Sequence, residues 1–151
     1  MRRRPSKVSQ RSDEGGGLVE TGFLLALNPR DRHHNWALRI LREAEAGKII
    51  LHISPIAPVE LSLAMRSRGR SDEEVRRVLN ALNTAIMMYT KPKYPPLGLG
   101  DVEYAAELRG RHPKLSLFDS LHAAIAINNK LTYYDLDTII RDAILKELER
   151  S

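Results

Sequence analysis

The sequence predicts an α/β protein, a three-layer α/β/α sandwich around a short, mainly parallel central sheet. Three β-rich runs, "GLVE" (17–20), "KIILHIS" (48–54) and "LTYY" (131–134), stand far apart in the chain. The stretches between them carry helical spacing of apolar residues. Strands separated by one or two helices pair in parallel, and right-handed crossovers then place helices on both faces of the sheet. A chain of 151 residues with 42% apolar side chains has the length of one domain and enough apolar surface for a single core.

The elements follow in order. Residues 1–17, "MRRRPSKVSQRSDEGGG", read as a disordered basic arm, and residues 18–151 as the folded domain. "GLVE" is the first strand, followed by the apolar run "FLLAL" (23–27) and the turn "NPRDRHH" (28–34), where Asn-Pro breaks regular structure. Trp36, Leu38, Ile40 and Leu41 recur with roughly helical spacing up to the stop at Gly47. "KIILHIS" is a buried strand, and Pro55 opens a helix through "VELSLAM" (59–65) in which Glu60 is the acid. Ser71 and Glu74 form a capping-box pattern at the head of the next helix (71–85). "IMMYT" (86–90) reads as a strand, "KPKYPPLG" (91–98) as a rigid loop and 100–112 as a helix. "LSLFDSLHAAIAI" (115–127) is an apolar helix, "LTYY" the last strand, and 138–150 a closing amphipathic helix.

Composition excludes several classes of function. The chain has no cysteine, so disulfides, thiolate zinc sites and cysteine nucleophiles are absent, which fits a cytoplasmic protein. No run of about 18 uninterrupted apolar residues is present, so no membrane span is expected. A phosphate-binding loop of the glycine-rich kinds is also missing, which argues against a nucleotide-binding α/β domain, and a receiver-type domain would want a paired-acid strand near its start and a late strand lysine. The net charge is +5, and the arm carries most of it, with five cations against two carboxylates. A basic arm attracts nucleic acid.

The acids are more informative. In an open parallel sheet, ligands bind beyond the carboxyl ends of the strands. Glu20 ends "GLVE", Asp135 ends the last strand with Asp137 just beyond, and Glu60 lies early in the helix after "KIILHIS". Asp119 sits in the first turn of the helix that leads to the last strand. There it also completes a capping box with Ser116, and an acid in a first turn suits the helix dipole. His122, one turn on, reads as a hydrogen-bonded core histidine or a partner for Asp119. Carboxylates gathered at one edge repel and raise each other's pKa. A divalent cation removes that cost, and Mg²⁺ or Mn²⁺ suits all-oxygen ligands. Such an ion activates water and stabilises charge on a phosphodiester, so the chemistry inferred is metal-dependent phosphodiester hydrolysis.

In "VETGFLLALNPRDRHHNWAL", "HISPIAPVEL", "LSLFDSLHAA" and "YYDLDTI", taken in this order, the chain resembles the PIN-domain family of metal-dependent nucleases, which includes the VapC toxins of toxin–antitoxin pairs. The resemblance spans roughly residues 18–140. It implies an endoribonuclease, the toxin of such a pair, that hydrolyses single-stranded RNA with Mg²⁺ or Mn²⁺ as a homodimer held by an antitoxin protein. It implies metal-site acids at Glu20, Glu60, Asp119 and one or both of Asp135 and Asp137, the strand-ending Asp135 being preferred. Thr21 would steady the site, and Ser116 and His122 would support the Asp119 helix. Arg66, Arg68 and Arg70 are candidate phosphate contacts or else a solvated helix end, while His33 and His34 read as surface residues. Two features depart from the family pattern. The "LHAA"-to-"YYDLD" segment is about two residues short, and Glu20 replaces an aspartate. The added methylene moves that carboxylate by about 1.5 Å, against a working tolerance of about 0.5 Å. The alternative implied is a catalytically weakened PIN-fold module that binds RNA or protein.

Overall fold

The computed structural model describes residues 16–150. Three strands, β1 (Gly16–Val19), β2 (Ile50–Ile53) and β3 (Thr132–Tyr133), form a fully parallel sheet in the order β2-β1-β3. Among the described residues seven helices surround it: α1 (Thr21–Ala26), α2 (His34–Glu45), α3 (Ala57–Ser67), α4 (Asp72–Met87), α5 (Leu99–Arg111), α6 (Leu117–Asn128) and α7 (Thr138–Arg150). The arm expected at 1–17 lies outside the described residues except for Gly16 and Gly17, which open β1. Among the described residues no helix is long and apolar enough to cross a membrane.

The strand pattern divides the core into two layers. β1 is buried along its whole length, as a central strand must be. Val19, beside Ile53 in the register, packs with Leu51 against Phe23, Ala37, Ile40, Leu41 and Leu61 of α1, α2 and α3. Leu18, beside Tyr133, faces the opposite way and packs against Leu108, Leu121, Ile125, Ile140 and Ile144 of α5, α6 and α7. This is the three-layer sandwich the sequence predicts. Gly17 has a steric reason: a Cβ there would lie 1.9 Å from the Tyr134 ring.

The strand expected at 86–90 does not form. The apolar positions Val75, Leu79, Leu82 and Ile86 keep helical spacing, and burial of Ile86 carries α4 through Met87. Packing along that face overrides the β-propensity of "IMMYT". The edge of β2 is met instead by the following loop. Lys93 N–H donates to the Leu51 carbonyl at 2.9 Å, and Ile53 N–H donates to the Lys93 carbonyl at 2.8 Å.

Candidate active site

β1 ends in Glu20, which serves as the N-cap of α1, its side chain accepting from the Gly22 N–H. β3 ends near Asp135, whose Oδ2 accepts from the backbone N–H groups of Glu20 at 2.8 Å and Phe23 at 3.1 Å. Its Oδ1 accepts from Leu136 N–H at 2.8 Å. Both Asp135 oxygens therefore accept from the backbone, tying the end of one strand to the start of the next layer. Gly22 is required between the two acids, because a Cβ there would come within 2.5 Å of Asp135 Oδ1.

α3 delivers Glu60 from the β2 side, where its Oε1 accepts from the Thr21 hydroxyl at 2.6 Å and from His122 Nε2 at 2.9 Å. His122 is fully buried, and its Nδ1 lies 2.7 Å from the Ser54 hydroxyl. The histidine thus braces Glu60 rather than Asp119. Asp119 belongs to the capping box of α6: its N–H donates to Ser116 Oγ at 3.1 Å and its Oδ2 accepts from Ser116 N–H at 3.0 Å. Asp137 accepts from Ile140 N–H at 3.1 Å at the head of α7.

The sheet edge brings Glu20, Thr21, Glu60, Asp119, Asp135 and Asp137 to one cleft of about 380 Å³, which Gly22, Leu25, Asp31, His33 and Leu136 also line. Arg66, Arg68 and Arg70 lie elsewhere, at the far end of α3. Arg66 pairs with Asp72 at 2.5 Å and Arg70 with Glu74 at 3.5 Å, so two of the three are engaged by acids at the head of α4. Ser54, Gly22, Asp31 and His33 complete the surroundings without having been singled out as site residues. Ser54 had a signal in the Ser-Pro that follows β2, whereas the place of the 28–34 turn over the cleft is a tertiary fact.

The electrostatics are those of crowded acids. Burial, and after it the Asp135 carboxylate, pushes the Glu20 carboxyl up to about 8. Burial also raises Asp135, although its backbone donors oppose the shift. Partial burial works to raise Glu60 too, but the hydrogen bonds from His122 and Thr21 hold it below the usual carboxylate range. Burial and the charges of Glu20, Asp135, Asp137 and Asp119 raise Tyr133, whose hydroxyl is buried without a hydrogen-bond partner among the described residues.

No three His, Asp or Glu side chains among the described residues stand close enough to enclose an ion as they are. The donor chemistry nevertheless fits a hard divalent cation. Glu20, Glu60, Asp119 and Asp137 each hydrogen-bond through one carboxylate oxygen and keep the other without a described donor. All four line one cleft, and a cation held between these carboxylates has oxygen ligands.

The PIN domain model matches residues 18–150. The chain belongs to the PIN domain family. No curated protein matches this PIN domain at a significant level. Among solved structures it is similar to Mycobacterium tuberculosis VapC20, described as a toxin that cleaves the sarcin–ricin loop. The TM-score is 0.63 at 23% identity, over 84% of this chain and 94% of that one. The likeness is one of fold.

Proposed function

We propose that this PIN domain is a metal-dependent endoribonuclease, the toxin of a toxin–antitoxin pair, using Mg²⁺ or Mn²⁺. The observation that carries the reading is the cleft of six acids, five of which keep an oxygen without a described donor. A cation bound there supplies Lewis acidity and positive charge to a phosphodiester. Glu20, Glu60 and Asp119 are the residues that would hold it, and hydrogen bonding favours Asp137 over Asp135 for the fourth position. Asp135 acts through the backbone, fixing the turn that aims Glu20. Thr21 and His122 fix Glu60 through one oxygen and keep it ionised, while Ser116 fixes Asp119. An RNA substrate, a homodimer and an antitoxin partner belong to the same proposal, supported by the family and by the fold shared with a VapC toxin.

One observation favours a second reading, a PIN module that binds RNA or a partner with weakened cleavage. Glu20 is turned back onto the Gly22 amide and holds its proton up to about pH 8, which weakens it as a ligand near neutrality. Cleavage of a single-stranded RNA with Mn²⁺, Mg²⁺ or EDTA separates the two readings. The nuclease cuts only with metal, and Asp119→Asn lowers the rate by about 10³-fold or more. Glu20→Asp, which retracts the carboxylate, raises it by up to about 100-fold. A wild type that binds RNA without cutting, beside a Glu20→Asp variant that cuts, establishes the second reading.

A further inference from the structure

An acid-lined cleft repels a polyanion, so the strand that enters it must find positive charge at the rim. Arg66 and Arg70 lie away from the cleft and pair with α4 acids, and Arg141 donates to the Asp135 carbonyl at 3.1 Å. The 28–34 turn is different. His33 is the one basic side chain among the described lining residues of the cleft. Arg32 Nε donates to His33 Nε2 at 3.1 Å, and arginine has only donors, so Nε2 is the acceptor and the proton sits on Nδ1. That Nδ1–H has no described partner, and Arg32 makes no ion pair with any described carboxylate; the only carboxylate on the turn, Asp31, accepts from His33 N–H at 2.8 Å through Oδ1. The turn is itself held in place: Arg30 N–H donates to Asn28 Oδ1 at 3.0 Å, and His34 Nδ1 lies 2.9 Å from the Ala26 carbonyl at the end of α1.

We propose that Arg32 and His33 together bind a backbone phosphate of the RNA strand beside the scissile one, at the α1–α2 rim of the cleft. This rests on the nuclease reading and names the residues that seat its substrate. The Arg32 guanidinium presents the planar donor pair that phosphate oxygens accept, and the His33 Nδ1–H adds a third donor. The two residues act in binding and take no part in bond breaking.

The test measures cleavage of a single-stranded RNA oligonucleotide by the full chain with Mn²⁺ across a salt series, for wild type, Arg32→Ala, Arg32→Lys, His33→Ala and Arg68→Ala. Arg32→Ala raises KM about tenfold and leaves kcat within about twofold. It also lowers the slope of log(kcat/KM) against log salt by about 0.7, the share of one phosphate contact on a single strand. Arg32→Lys restores the salt slope but not the full affinity. His33→Ala raises KM about fivefold, and Arg68→Ala changes neither quantity. A merely structural Arg32 would lower thermal stability and kcat without moving the salt slope. Unchanged KM and slope in a protein that cuts overturn this assignment and leave the nuclease reading intact. If the chain binds RNA without cutting, the same comparison is read from the Kd by fluorescence anisotropy. A chain that neither cuts nor binds RNA overturns both.

Discussion

Glu60 and His122 show how much of this site depends on a single buried contact. Glu60 is only part-buried, and a free carboxylate there would sample several rotamers. One oxygen is fixed by Thr21 and His122, and His122 is fixed in turn by Ser54. Residues that orient ligands from behind typically cost 10–100-fold in metal affinity or activity when removed. Thr21→Val, which deletes only the hydroxyl, is expected to weaken Mn²⁺ binding about tenfold, and His122→Ala about 100-fold; titration calorimetry checks both. The acids themselves were legible in the sequence, because strand ends and first turns are positions that residue order reveals. The bracing was not: Glu60 and His122 are 62 residues apart, and His122 stood as a partner for its own helix until the fold placed it against α3.

At the scale of elements, α6 was the easiest to read. Its Ser116–Asp119 box gives the start of the helix from four residues, and the helix begins there. The end of α4 was not legible, because the short run at 86–90 suits a strand and a helix alike until Ile86 finds its place in the core. Glu147 was missed for a similar reason. It is one acid on an amphipathic helix, yet it lies buried against α5, taking both Arg111 Nε at 2.9 Å and Nη2 at 2.8 Å, with His112 Nε2 at 2.7 Å. The Arg111 hydrogen bonds, reinforced by His112, hold its carboxyl down to about 2. A carboxylate depressed on folding stabilises the chain above its unfolded pKa of 4.5, and that contribution is lost as pH falls from there toward 2. Glu147→Gln is expected to cost about 1.5–3 kcal/mol near neutrality, the range for hydrogen bonds to charged groups. Denaturant unfolding of wild type and variant at pH 7 and in acid checks this: the gap should narrow as the acid limb is descended.

For the molecule as a whole, the sheet places its acids where no core contact requires them, and the fold bears the cost. Glu20 keeps its proton to about pH 8 in the folded chain, whereas the unfolded chain loses it near 4.5. The folded state therefore holds more protons across that window, and the stability of the metal-free chain falls as pH rises through it. Mg²⁺ should reverse the trend, because a bound cation favours the ionised form. Melting curves from pH 5 to about 8.5, with Mg²⁺ or with EDTA, test this. The order of motifs was enough to predict the layered fold and the edge where the acids meet. It did not show which oxygens the backbone engages: both of Asp135 accept from N–H groups, whereas only one of Asp137 does.

The proposed chemistry requires that this acid cleft hold a divalent cation. The most direct measurement is Mn²⁺ binding to the full chain at pH 8, followed by calorimetry or electron paramagnetic resonance, beside Asp119→Asn. A saturable site that Asp119→Asn weakens by about tenfold or more, with protons released on binding as Glu20 ionises, is the predicted result. Binding that is absent, or indifferent to Asp119, would contradict it and leave the cluster as strand-end and helix-cap carboxylates with no metal to gather them.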